Sequence, residues 1–289
     1  MDELFPSFQT LKINQGLLDL RAPLVMGILN ATPDSFYVGS RVGQMDETLA
    51  LAARMVQEGA KMLDLGGHST RPGAASVSPQ EEMDRVLPFI ERIISEFPDI
   101  IVSVDTYRLA VAQAAFAAGA GLWNDIGGGN MDEGVFDWVI EHQVPYVLSH
   151  SIGRFSEVHQ VPDYADVVQD VWLDLQGKVD YFRSRGHRDL LIDPGFGFSK
   201  SLDHNYALLA SLNSFTRLGA PVLVGLSRKT MIWKYLEISA DQALNGTTAL
   251  HAIAIAQGAS ILRVHDVKEA MEVIALGTKL KQHGLSYIY

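Results

Sequence analysis

The 289-residue chain contains no cysteine. That rules out disulfides, thiolate metal sites and a cysteine nucleophile. No apolar run approaches the roughly 20 residues that a helix needs to span a bilayer. The opening MDELFPSFQT is acidic and has no basic stretch followed by an apolar one, so no secretory signal is expected. Positive charge is in short supply: 23 Lys and Arg stand against 34 Asp and Glu, a formal net charge of -11. A surface of that sign argues against nucleic acid or anionic membrane as a partner. An anionic substrate would have to meet a local cluster of cations. No GxSxG elbow marks a serine hydrolase, and no glycine-rich dinucleotide loop follows the first strand-like run. No linker, low-complexity tract or charge run separates a second domain, so residues 1–289 read as one domain. These absences fit a cytoplasmic protein that handles small molecules.

The chain is 47% hydrophobic, enough for a barrel-sized core. Residues 1–22 alternate weakly and read as a short hairpin. Apolar runs then recur near 24–29, 61–65, 100–104, 120–123, 144–148, 189–192, 221–225 and 260–264. Each precedes a stretch of helical spacing: 46–58, 79–96, 108–118, 133–142, 164–185, 203–217, 241–257 and 266–282. Pro79 and Asp203 suit a first helical turn or N-cap. Gly59, Gly119, Gly186, Gly219 and Gly258 fall just past five of the helices, where a left-handed residue ends a helix. Eight such units predict an α/β fold, a (β/α)8 TIM barrel with a short N-terminal hairpin. A doubly wound open sheet is the alternative. The barrel requires functional residues to lie after the strands.

The strand ends are polar. The first gives Asn30-Ala31-Thr32-Pro33-Asp34-Ser35-Phe36, and the second Gly66-Gly67-His68-Ser69-Thr70-Arg71-Pro72-Gly73. Asp105-Thr106-Tyr107-Arg108, Asn124-Asp125-Ile126, and Ser149-His150-Ser151 follow the next three. Asp193-Pro194-Gly195-Phe196-Gly197-Phe198, Ser227-Arg228-Lys229 and Arg263-Val264-His265-Asp266 complete the rim. Asp105, Asn124 and Asp193 offer carboxylates and an amide to the edge of a flat, amino-substituted heterocycle. Each aspartate could instead cap the helix that follows it. Lys229, Arg263 and His265 supply donors at the last two strand ends, a common phosphate site in barrels. The alternative is structural ion pairing of Arg263 and Lys229 with Asp266 and Asp193. Asn30 offers an oxygen to a Mg2+ that keeps most of its water. Phe196 and Phe198, between glycines, are placed to contact an aromatic ligand. His150 beside two serines reads as a hydrogen-bonded structural residue.

These motifs together resemble those of the dihydropteroate synthase family: LNATPDSF (29–36), GGHSTRPG (66–73), VDTYR (104–108), NDI (124–126), DPGFGF (193–198), SRK (227–229) and RVHDV (263–267). The resemblance implies condensation of 6-hydroxymethyl-7,8-dihydropterin diphosphate with 4-aminobenzoate, and hence folate biosynthesis. It implies a pterin pocket of Asp105, Asn124, Asp193 and Lys229, and a diphosphate and Mg2+ region of Asn30, Arg263 and His265. The 4-aminobenzoate region would comprise Phe36, Thr70, Arg71, Pro72, Phe198 and Ser227, with Thr32, Asp34 and Ser69 beside it. Lys229, Arg263, Asp105 and Asp34 would carry the catalysis. Enzymes of this kind are sulfonamide targets and usually homodimers.

Three departures stand out. His68 replaces an acidic residue, Tyr37-Val38-Gly39-Ser40 replaces a Ser-Asp-Gly-Gly run, and Ser151-Ile152-Gly153 replaces a Met-x-Gly-Thr-Pro pattern. Two other readings compete. A pterin-dependent methyltransferase would need no diphosphate cluster, and the chain has no corrinoid-binding extension. A non-catalytic pterin-binding paralogue would rest on His68 and the altered first loop.

Overall fold

A computed structural model describes residues 10–14, 16–31, 40–68 and 77–284. The segments carrying Thr32, Asp34 and Phe36, and Ser69, Thr70, Arg71 and Pro72, lie outside the described residues.

Strands β1 (Thr10–Ile13) and β2 (Gly16–Asp19) form an antiparallel hairpin. Then β3 (Leu24–Asn30), β4 (Met62–Gly66), β5 (Ile101–Asp105), β6 (Leu122–Asp125), β7 (Tyr146–Ser149), β8 (Leu190–Asp193), β9 (Val222–Val224) and β10 (Ala259–Val264) close into one parallel barrel. The open-sheet alternative is excluded, because β10 pairs with both β9 and β3. The outer layer comprises α1 (Ser40–Gln57), α2 (Pro79–Glu96), α3 (Leu109–Ala117), α4 (Val135–His142), α5 (Val167–Ser184), α6 (Leu202–Ala210), α7 (Leu212–Thr216), α8 (Thr230–Trp233), α9 (Leu244–Ala256) and α10 (Val267–Gln282).

The helix ends follow local chemistry. Ser78 caps α2 by accepting from the Glu81 amide, with Pro79 in the first turn. Ser201, rather than Asp203, caps α6 and shares a reciprocal cap with His204. All five C-terminal glycines adopt positive φ, as expected. The helix expected over 203–217 breaks at Ser211, and α8 is an additional turn inside the long β9–α9 connection.

Alternation along each strand divides the core in two. Residues such as Leu63, Leu65, Val102, Val104, Trp123 and Ile192 face the helices. The inward set is Met26, Met62, Ile101, Leu122, Val147, Leu191, Leu223 and Ile261, one from each barrel strand, and it forms a separate apolar layer. Leu11 and Leu20 of the hairpin complete that layer, so the hairpin plugs the N-terminal end of the barrel. The Lys12 amide donates to Asp189 Oδ1 at 2.8 Å, and Asn14 Nδ2 to the Ala120 carbonyl at 2.8 Å, which ties the plug to two strand approaches. Leu11→Ala should leave a cavity there and cost about 3 kcal/mol of unfolding free energy. Urea titration of the intact chain measures that loss.

Candidate active site

On five strands the inward position two residues above the apolar plug residue carries a polar side chain, because the strand period is two. Above Met62, Ile101, Leu122, Leu191 and Ile261 stand Asp64, Ser103, Asn124, Asp193 and Arg263. A dry apolar floor thus supports a polar layer at the C-terminal mouth.

That layer is organised around Arg263. Its Nε donates to Asp64 Oδ2 at 2.5 Å and its NH2 to Asp105 Oδ2 at 2.6 Å. Asp64 is fully buried, and Ser103 Oγ donates to its Oδ1 at 2.6 Å. Asn124 Nδ2 donates to Asp64 Oδ2 at 2.9 Å, which leaves the Asn124 carbonyl oxygen as an acceptor for a ligand. Two carboxylates share one guanidinium here, so one negative charge is in excess. Burial, opposed by Arg263 and reinforced by Asp64, pushes Asp105 up to about 7. Burial works against the charge of Arg263, but Asp64 and Asp105 more than offset it and raise its pKa above the usual value.

Asp193 stands across the mouth and accepts the Gly195 amide at 2.7 Å. Burial raises its pKa, while Lys229 opposes the rise. Burial brings Lys229 down to about 8, against the pull of Asp193. Its ammonium donates to the Phe196 carbonyl and lies 4.6 Å from the centre of the Phe198 ring. A Cβ at Gly197 would sit 3.3 Å from the lysine chain, so glycine there lets the loop close onto Lys229.

The structure therefore brings Asp105, Asn124, Asp193, Lys229 and Arg263 to one mouth. Ser227 Oγ is 3.0 Å from His265 Nδ1 and accepts the His265 amide at 3.2 Å, so these two predicted residues are in contact. Asn30 is the exposed last residue of β3, beside Gly66. Phe196 is buried in the outer core and does not line the mouth; only Phe198 keeps the predicted placement. The ion-pair alternative for Asp266 belongs to Arg228, whose Nε and NH2 both reach that carboxylate at 2.9 Å. Asp64 and Ser103 were missed by the sequence reading. An aspartate inside an otherwise apolar strand was the available signal, because an unpaired buried carboxylate is not tolerated.

The pterin binding enzyme family matches residues 26–265. The chain belongs to that family. The dihydropteroate synthase of Haemophilus influenzae is 41% identical over 263 residues, covering 90% of this chain and 95% of that protein. The Xanthomonas albilineans dihydropteroate synthase solved with 4-aminobenzoic acid superposes with a TM-score of 0.86 at 40% identity, covering 94% of this chain and 98% of that one. The same enzyme in complex with 7,8-dihydropteroate gives a TM-score of 0.83 at 38% identity, over 94% and 98% of the two chains.

Two departures from the family pattern lie within described residues. The His68 ring packs 4.4 Å from Phe155, which stacks 4.6 Å from Tyr107, so three loops share one aromatic contact. Ser151 Oγ donates to the Ile126 carbonyl at 2.7 Å. Neither touches the Arg263 network. The 37–39 departure lies outside the described residues.

Asp64→Asn should remove the fully buried half of the Arg263 pairing and cost about 3 kcal/mol, as for other broken buried ion pairs. Chemical denaturation checks the loss; an unchanged midpoint would show that Asp105 alone balances Arg263.

Proposed function

We infer that the chain is a dihydropteroate synthase that joins 6-hydroxymethyl-7,8-dihydropterin diphosphate to 4-aminobenzoate. The observation that carries this reading is one barrel mouth holding a carboxylate-and-amide floor together with the cations Arg263 and Lys229. Dihydropterin presents ring N–H and amino donors. Asp105 and Asp193 accept from them, and the Asn124 amide completes the edge. We take residues 1–289 as one domain and assign Thr70, Arg71, Pro72, Phe36, Phe198 and Ser227 to the 4-aminobenzoate side, and Asp34 to the catalysis. Ser227, hydrogen-bonded to His265, would link that side to the diphosphate end.

Arg263 is tied to Asp105. A diphosphate offers the guanidinium a second planar anion, and the pterin offers Asp105 new donors. Binding then exchanges one buried pairing for two, so recognition of ring and diphosphate is coupled. The CH2–O bond breaks and its electron pair leaves on the diphosphate. Positive charge on the carbon spreads into the electron-rich pterin, whose N–H groups the carboxylates hold. We assign an SN1-like path. Arg263, Lys229 and His265 stabilise the departing charge. The neutral arylamine forms the C–N bond and sheds its proton to water, so no strong enzyme base is required.

Asn30 supplies one hard oxygen donor, and no group of three His, Asp or Glu side chains converges as a metal site among the described residues. That donor set fits a Mg2+ held chiefly by water and diphosphate, not a protein-built cage. When bound there, the ion would add charge neutralisation at the leaving group. We also propose a homodimer. Helix α9 carries no charged residue yet exposes Ala249, Ala252 and Ile253, and the adjoining α10 exposes Leu276 and Leu280. Small-molecule substrates are the partners, without nucleic acid or membrane; no helix among the described residues is long and apolar enough to cross a membrane.

Purified protein supplied with both substrates and Mg2+ should form dihydropteroate, followed by mass. Lys229→Ala should weaken pterin binding and cut turnover by about a hundredfold, since it removes a charge from a buried anion site. Near-normal kinetics would take the lysine out of the site. Pterin binding needs Asp105 as a carboxylate, and burial raises its pKa to about 7. Affinity should be flat above that pH and fall by up to about tenfold per unit below it, with proton release on binding. Calorimetry in buffers of different ionisation enthalpy reads both; a pH-independent affinity between 5 and 7 would contradict the assignment.

A further inference from the structure

Lys200 is a buried cation that the proposed mechanism does not use. It is 7% exposed and sits beneath the loop that follows β8. Its ammonium lies 3.0 Å from His150 Nδ1, donates to the Phe198 carbonyl at 3.0 Å, and reaches the His150 carbonyl at 3.3 Å. An ammonium has no lone pair, so His150 Nδ1 is the acceptor and the imidazole proton sits on Nε2. Burial brings Lys200 down to about 7, with Asp193 opposing the fall. Burial, together with Lys200 and Lys178, takes His150 down to about 2, so the ring is neutral.

The adjacent residue is pinned as well. Ser199 has φ of 53°, a left-handed conformation that a non-glycine residue adopts only when its surroundings impose it. Its amide donates to the Val158 carbonyl at 2.6 Å. Its hydroxyl accepts the Ile152 amide at 3.0 Å and faces the Ile152 carbonyl at 3.1 Å. Tyr164 Oη donates to the Ser199 carbonyl at 3.0 Å. The β8 loop also meets the end of β7 closely: a Cβ at Gly195 would lie 1.9 Å from the His150 carbonyl oxygen. Ser199 and Lys200 together fasten the β8 loop to the β7 loop immediately after Phe198. The Phe198 ring of this fastened segment faces Lys229, with the ammonium 4.6 Å from its centre.

We propose that Lys200 is a positioning residue for the acceptor half of the site: by holding the Phe198 carbonyl and the His150 edge, it sets the Phe198 ring against Lys229, where the arylamine is to bind. This rests on the assignment of Phe198 to the 4-aminobenzoate side. The ring can present a face to the incoming amine only while its backbone is fixed, and a lysine beneath the loop fixes it without occupying the mouth. Lys200 touches neither substrate.

The test is steady-state kinetics of Lys200→Met against each substrate, with pterin affinity measured separately by calorimetry. The KM for 4-aminobenzoate should rise by about tenfold or more, while the pterin Kd changes by less than about threefold. Lys200→Gln keeps an N–H donor without the charge and should recover part of the loss; it also serves if Lys200→Met fails to fold. A double-mutant cycle with Phe198→Leu should be strongly non-additive, because the lysine acts through that ring. Equal loss for both substrates, an additive cycle, or an unchanged KM would overturn the proposal. Absence of dihydropteroate from the unmutated protein would instead remove the reading on which it rests.

Discussion

The Asp64–Arg263–Asp105 network decides how this barrel works. Three charged groups are held above an apolar plug at the mouth, Asp64 fully buried and Asp105 and Arg263 only partly open to water. Such an arrangement survives only if each polar atom has a partner. Ser103 and Asn124 supply the remaining ones for Asp64. The cost of burial appears as the raised pKa of Asp105, which Arg263 opposes and the second carboxylate, Asp64, reinforces. A ligand that brings both N–H donors and an anion relieves that cost. Dihydropterin diphosphate carries both on one molecule.

Charge balance extends across the mouth. Asp64, Asp105 and Asp193 are matched by Arg263, Lys229 and Lys200, so the site is near neutrality within a chain of net charge -11. The cations lie on the β8, β9 and β10 side, and the carboxylates Asp64 and Asp105 on the β4 and β5 side. Helix α9, without charge, and the rim loops vary this scheme only at its edges.

The loops above the network are built differently from it. Residues of the floor belong to strands whose register is set by the whole barrel. Phe198, Lys200 and Ser199 belong to a loop held by cross-links to the β7 loop, and Arg228 is held by Asp266 in the next unit. His68, Phe155 and Tyr107 join three loops by ring contacts at the rim. The described departures from the family pattern, His68 and Ser151-Ile152-Gly153, lie in loops, while the strand-borne network keeps its chemistry.

Much of this was legible from residue order. Eight apolar runs alternating with helical spacing, and glycines placed after helices, determined the (β/α)8 fold because each signal is local. Asp105, Asn124 and Asp193 were legible as candidate site residues because they stand at or next to the last residue of a strand, and barrel ligands bind there. Asp64 escaped because it lies within a strand and its role depends on an arginine 199 residues away. Phe196 was misplaced because motif position does not say which face of a loop a ring takes. Sequence alone determined which side chains stand at the strand ends, since that follows from local periodicity. Only the closed barrel decided which of them meet, because β10 pairs with β3 and brings Arg263 to Asp64, a contact that no local pattern encodes.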